Sequence, residues 1–188
     1  MILITGLGNP EEKFKKTRHN FGFLILDGLQ KESGFSDWKK NKNANCLYSK
    51  GSISGKEIML IKPLTYMNES GKAVKHVLIK NNLKPENLFA IHDDIDLLLG
   101  KIKISVKSGS AGHKGIESII KEIKTKEFTR FRIGIRPEFG KPQNPKSFVL
   151  QDFNKNEEKI AKETIQKTIE AIEISLKDGT EKAMNKFN

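Results

Sequence analysis

One cysteine, Cys46, stands among 188 residues, so no disulfide can close within the chain, and the composition fits a reducing compartment. No apolar run approaches the roughly 20 residues needed to cross a membrane, and no basic leader precedes a long apolar segment. The chain is therefore expected to be soluble and cytoplasmic, with no membrane contact. Several catalytic signatures are missing as well. Gly6-x-Gly8 begins like a dinucleotide fingerprint, but the third glycine is absent and Pro10 and Glu11 occupy the turn. Gly71-Lys72-Ala73 lacks the Ser or Thr of a phosphate-binding loop. There is no Gly-x-Ser-x-Gly elbow, and Cys46 has no basic or helical context to activate it. Arginine is scarce too: four residues, against thirty lysines.

That imbalance colours the reading of the charge. Lys and Arg total 34 against 23 Asp and Glu, a formal net charge of +11. Such an excess suits a polyanionic partner, since neutralised phosphates release counterions on binding. A lysine-rich composition alone would also put many solvated ammonium groups on the surface. The arginines are more pointed, because Arg18, Arg130, Arg132 and Arg136 all fall beside candidate site loops.

With 36% hydrophobic residues and this length, one domain over residues 1–188 is expected. An apolar run from Met1 to Leu7 reads as a buried first strand. The polar loop after it, Gly8 to Asn20, collects Asn9, Arg18, His19 and Asn20. Phe21, Leu24, Ile25, Gly28 and Leu29 then mark one face of a helix that ends near Gly34. Trp38 to Lys50 reads as irregular chain leading into a strand around Cys46 to Lys50. A turn at Ser54-Gly55 precedes a strand from Glu57 to Lys62, closed by Pro63. Ala73, Val74, Val77 and Leu78 mark a second helix, entered through Thr65-Tyr66-Met67-Asn68, with His76 on its surface. Leu88 to Ile91 predicts a short buried strand running into His92-Asp93-Asp94-Ile95-Asp96, where Asp94 and Asp96 read as a turn. Lys101 to Val106 alternates and predicts a half-exposed strand. Ser108 to Gly115 is a Gly/Ser loop before a helix at about 116–123. Thr129 to Ile135 is a strand with Arg130 and Arg132 on one face. Pro137 to Pro145 is a loop, and Ser147 to Leu150 reads as extended. A long helix carries Ile165, Ile169, Ile172 and Leu176 up to Gly179, and a short helical piece follows. Strands alternating with helices, with hairpin-like strands among them, predict an α/β single domain with a mixed β-sheet sandwiched between α-helices.

Two chemistries compete for the polar residues. His92, Asp93, Asp96, His19 or His113 offer metal ligands, and a metal-activated water would make a phosphoesterase. No His-Glu-x-x-His or comparable tight spacing supports that choice. Alternatively, His19 acts as a general base, its tautomer held by Asp93 at the end of a neighbouring strand. Asn9, Asn20 and Asn68 would then supply amide donors for an oxyanion or a substrate amide. Taken singly, each asparagine reads equally as a turn or cap residue.

The order of the motifs carries further. Gly6-Leu-Gly-Asn9-Pro10 through Thr17-Arg18-His19-Asn20-x-Gly22-Phe23 resembles the signature of bacterial-type peptidyl-tRNA hydrolases. Lys62-Pro-x-Thr65-Tyr66-Met67-Asn68-x-Ser70-Gly71, His92-Asp93-Asp94-Ile95-Asp96, Gly112-His113-x-Gly115, Arg130-x-Arg132-x-Gly134-Ile135 and Phe148-Val149-Leu150 continue it in sequence, and Asp178-Gly179 through Ala183-Met184-Asn185 completes it. The resemblance implies a single-domain hydrolase, usually monomeric, with no metal or other cofactor and no obligate protein partner. Its substrate would be peptidyl-tRNA released from stalled ribosomes, cleaved at the ester to the 3′-terminal ribose. By resemblance, His19 is the catalytic histidine and Asp93 its support, while Asn9 tells N-blocked from free aminoacyl-tRNA. Asn68 would contact peptide and terminal nucleotide, with Tyr66, Met67 and His113 beside it. Phe14 stands where the family usually has Tyr, keeping a stacking surface without the hydroxyl. Lys114 replaces a usual Asn: an ammonium donates hydrogen bonds but cannot accept them. Ala111 replaces a common glycine. Lys103, Lys107, Arg130 and Arg132 are expected to hold acceptor-stem phosphates, contacts that position RNA without reading its sequence. An RNA-binding relative that kept the fold without the hydrolase activity is the other reading this resemblance leaves open.

Overall fold

The opening strand β1 (Ile2–Gly6) is apolar at nearly every position because it is covered on both faces. In the computed structural model, which describes residues 1–188, it lies mid-sheet, parallel to β4 (Lys56–Pro63) on one side and to β5 (Leu88–Leu98) on the other. Seven strands run in the order β2-β3-β4-β1-β5-β7-β6, where β2 is Lys39–Asn41, β3 Cys46–Ile53, β6 Ile102–Val106 and β7 Thr129–Arg136. The four central strands are parallel, and antiparallel partners close both edges. The sheet is mixed, as the alternation of elements predicts.

Period-two alternation divides the core into two layers. Leu3, Met59, Ile61, Leu88 and Ala90 face α2 (Ser70–Lys80) and α3 (Lys114–Ile123). Ile4, Ile58, Leu60, Phe89 and Ile91 face α1 (Phe21–Glu32), α5 (Lys155–Asp178) and α6 (Thr180–Phe187). Each fully buried Leu, Ile or Phe side chain contributes about 1.5–3 kcal/mol by burial. Two close approaches set the spacing of the layers. A Cβ on Gly22 would meet Leu7 N and Ile91 O at 2.5 Å, so α1 starts directly over the ends of β1 and β5. A Cβ on Gly71 would meet Ser118 O at 2.2 Å, so α2 crosses α3 at backbone contact.

Three local expectations are corrected. β5 is not a four-residue strand: it continues through the acidic cluster to Leu98, held by β7 along Phe89 to Asp94. Asp94 is therefore a strand residue rather than part of a turn. Ser147 to Leu150 is not extended but belongs to α4 (Pro145–Val149) and its cap. Asn144 Oδ1 accepts from the Ser147 N–H at 3.1 Å and Pro145 pre-sets the first turn, signals that the three-residue apolar run Phe148 to Leu150 obscures. The stretch from Trp38 also holds a short edge strand, β2, before β3. No helix is long and apolar enough to cross a membrane.

Candidate active site

β1 stops pairing with β5 at Gly6 and Ile91, while β5 runs on beside β7. The loop leaving β1 begins where the Leu7 N–H donates to Ile91 O, so it passes over the projecting residues His92 to Asp94. Crevices at the carboxyl ends of parallel strands are where open α/β sheets bind their ligands. Here the crevice is a cavity of about 390 Å³, walled by Asn9 and His19 from the first loop, Asp93 to Ile95 from β5, Ser110 to Lys114 from the loop before α3, and four residues of the α4 region.

His19 sits on a one-turn 3-10 helix, Arg18–Asn20, directly before α1. Its Nδ1 lies 2.8 Å from Asp93 Oδ1, and His113 Nε2 lies 3.0 Å from the same oxygen. The tautomers follow from the other bonds. His113 caps α3, its Nδ1 accepting from the Ile116 N–H at 3.3 Å, so its proton is on Nε2 and is donated to Asp93. Asp93 as a carboxylate can only accept, so His19 donates through Nδ1. That leaves His19 Nε2 as the nitrogen free to take a proton. Burial opposes ionisation of Asp93, but the two imidazoles outweigh it and hold the carboxyl well below the usual carboxylate range. Burial likewise lowers the pKa of His19, yet the adjoining Asp93 carboxylate reverses this and carries it above the ordinary imidazole value. Behind them His92 is fully buried and donates through Nδ1 to the Asp93 carbonyl at 2.7 Å. Burial, reinforced by His113, keeps it neutral.

The Asn9 side chain is fixed at one end. Its Oδ1 accepts from the Met67 N–H at 3.0 Å, which leaves the Nδ2 donors of this cavity-lining residue for a ligand. Asn20 is not a substrate donor: its carboxamide accepts from the Asn9 N–H at 2.8 Å and donates to the Asn9 carbonyl at 2.9 Å, bracing the loop. Met67 is buried and acts here through its backbone. Phe14, Tyr66 and Asn68 stand outside the cavity lining: Phe14 is half-buried with Lys13 Nζ 4.9 Å from its ring, and Tyr66 is exposed at the surface. His113, expected as a substrate contact, has both ring nitrogens engaged within the protein. Lys114 lines the cavity mouth, but its ammonium turns away to Glu117 Oε2 at 2.9 Å, in the first turn of its own helix. Ala111 holds a left-handed φ of 51° where glycine would be unstrained.

The expected phosphate contacts divide. Arg130 is corrected: it is 1% exposed, and its guanidinium bonds Gly109 O, Ser105 Oγ and Ser108 Oγ, clipping the loop that leads to His113. Burial pushes its pKa down to about 10, still protonated at neutral pH. Arg132 is half-buried and pairs with Asp94 Oδ2 at 2.6 Å. Lys107 is exposed and pairs with Glu127, whereas Lys103 is exposed with no ion pair. Sequence reasoning missed the α4 wall, Pro145, Lys146, Val149 and Leu150, because it read that stretch as extended.

His19, Asp93 and His113 bring three ligand-type atoms within 4.8 Å of one another. Both ring nitrogens that approach Asp93 are directed at a single carboxylate oxygen as hydrogen-bond donors, the arrangement of an oriented base. Asp96, the remaining acidic candidate, pairs with Lys141 at 2.7 Å.

A family model described as peptidyl-tRNA hydrolase matches residues 3–188. The peptidyl-tRNA hydrolase of Thermodesulfovibrio yellowstonii is 43% identical, covering 100% of this chain and 99% of its own length. That of Bacillus subtilis is 41% identical over 100% and 98%. The crystal structure of peptidyl-tRNA hydrolase from Acinetobacter baumannii superposes with a TM-score of 0.92 at 30% identity, covering all of this chain and 94% of that one.

Proposed function

Because the chain belongs to the peptidyl-tRNA hydrolase family, and peptidyl-tRNA is accordingly its substrate, we propose that His19 is the general base of the hydrolysis and Asp93 its support. The observation that carries this reading is the pair of imidazoles on one Asp93 oxygen, which leaves His19 Nε2 free in the cavity wall. The bond broken joins the carboxyl carbon of the peptide to a ribose oxygen of the 3′-terminal nucleotide. His19 Nε2 takes a proton from water as the water oxygen adds to the ester carbonyl. Asp93 stabilises the imidazolium that forms. Asn9 Nδ2 donates to the acyl group, as an oxyanion-stabilising donor or to the neighbouring peptide carbonyl. Collapse of the tetrahedral intermediate breaks the bond to the ribose oxygen, which takes its proton from His19. An ester carbonyl is more electrophilic than an amide, and an alkoxide leaves more readily than an amine, so one base, one oriented water and a few donors suffice.

The free ammonium of Lys103 and the partly solvated guanidinium of Arg132 are the groups we assign to the acceptor stem, with Phe14, Tyr66 and Asn68 at the outer rim for the peptide. Release of an N-acetylated amino acid from tRNA tests the core of the scheme. His19→Ala is expected to lower the rate by roughly 10²–10⁴-fold. Equal rates for native protein and variant would refute the assignment.

A further inference from the structure

The residue before the base has no role in the chemistry above, yet it is among the most heavily engaged side chains in the protein. Arg18 is 4% exposed. Its Nη1 donates to the carbonyls of Gln151 (3.1 Å) and Asp152 (2.8 Å), and its Nη2 pairs with Glu157 in the first turn of α5. The guanidinium carbon lies over the Phe148 ring of α4, 4.2 Å from its centre. The backbone repeats the connection: the Arg18 N–H donates to Gln151 O at 3.0 Å, and Thr17 bridges Asp152. All these partners belong to α4, to the start of α5 or to the short joint between them.

We propose that Arg18 is a positioning residue for hydrolysis, tying the turn that carries His19 to the α4–α5 joint so that the base and the facing wall of the cavity are held as one unit. Val149 and Leu150 in that wall lie within three residues of Phe148, Gln151 and Asp152, all of which Arg18 touches. Two considerations favour geometry over simple stabilisation. A buried ion pair is often no more stabilising than well-packed apolar side chains of the same volume, so stability alone gives no reason for a charge here. The contacts also demand a planar fork, which reaches two carbonyls and a carboxylate while stacking on a ring; a lysine ammonium cannot do all of these together. Glu157 Oε2, which takes the charge, also accepts the Asn154 N–H at 2.9 Å in the cap of α5. The anchor is thus built into the start of a 24-residue helix packed on the core.

The inference rests on His19 as the base, and the experiment separates the two. The full-length native protein, Arg18→Lys, Glu157→Gln and His19→Ala are compared on N-acetylaminoacyl-tRNA for kcat, KM and the pH dependence of kcat, with the folded fraction of each measured by circular dichroism. Arg18→Lys is expected to lower kcat at least tenfold per folded molecule and to shift the acid limb to lower pH, because a loosened turn weakens the His19–Asp93 bond. Glu157→Gln, which lies outside the cavity and secures a result where Arg18→Lys fails to fold, is expected to lower kcat two- to fivefold with the same direction of shift. A kcat per folded molecule within twofold of native in both variants, or an unmoved acid limb, overturns the proposal even where the melting temperature falls. If His19→Ala retains native activity, the base assignment itself fails. If it is inactive while Arg18→Lys and Glu157→Gln are native-like, only the positioning role fails.

Discussion

At the scale of single residues, the site depends on which atom of each polar group is already committed. His19 is usable as a base because Asp93 holds its Nδ1 and leaves Nε2 open. Asn9 is usable as a donor because Met67 occupies its oxygen. Only the neutral imidazole accepts a proton, so activity should fall as pH drops through the His19 pKa. Burial would place that pKa low, but the Asp93 carboxylate carries it above the ordinary imidazole value, so the acid limb of the native profile should lie at higher pH than an unpaired imidazole would give. In Asp93→Asn the charge is gone and burial acts alone. The limb should move to lower pH, and the plateau rate should drop by roughly 10²–10⁴-fold because the tautomer is no longer fixed. A limb unmoved in that variant would show that another group titrates. Lys114 illustrates the limits of substitution patterns: its ammonium answers to Glu117, so a cation replaces an amide at the cavity mouth without bringing its charge to Asp93.

At the scale of elements, the decisive feature is the unequal length of neighbouring strands. β5 outlasts β1, and the residues that project are the ones the first loop and the α3 cap close over. The position of that cap depends in turn on α3 lying hard against α2. Gly71 permits the contact and its N–H donates to Ser118 Oγ at 2.9 Å. Gly71→Ala forces a methyl group toward the Ser118 carbonyl, an overpacking expected to cost about 1–3 kcal/mol. For a chain of this length that corresponds to a melting temperature lower by about 2–4 °C per kcal/mol, measurable by calorimetry. A variant as stable as the native protein would mean that the two helices can separate freely at this crossing.

For the whole molecule, the net charge of +11 meets a site beside which three of the four cations expected to hold phosphate are engaged within the protein. Arg130 is enclosed, Arg132 pairs with Asp94, and Lys107 pairs with Glu127. Phosphate binding should therefore draw on dispersed exposed lysines such as Lys103, with the partly solvated edge of Arg132 beside them. Added salt is expected to raise KM steeply for full-length N-acetylaminoacyl-tRNA while barely altering turnover of a short mimic of its terminal adenosine. Lys103→Ala should reduce the slope of log KM against log salt by about 1. Arg130→Gln should destabilise the fold and leave that slope unchanged. Equal salt effects on the long and short substrates would show that the basic surface has no part in binding.

The amino-acid sequence by itself determined the plan of a sheet sandwiched between helices, because uninterrupted apolar strands and helical stripes have few ways to be buried together. It also offered His19, Asp93 and Asn9 as candidates, because polar residues bearing chemistry stand out beside apolar runs. It could not show that β5 extends through an acidic cluster, since carboxylates there are tolerable only where Arg132 and two imidazoles happen to face them. Nor could it tell the buried Arg130 from the half-exposed Arg132, which share one face of β7 two residues apart. Burial and protonation are set by what lies across the fold. His19 and Asp93, 74 positions apart, and Arg18 and Gln151, 133 positions apart, are brought together only by tertiary structure.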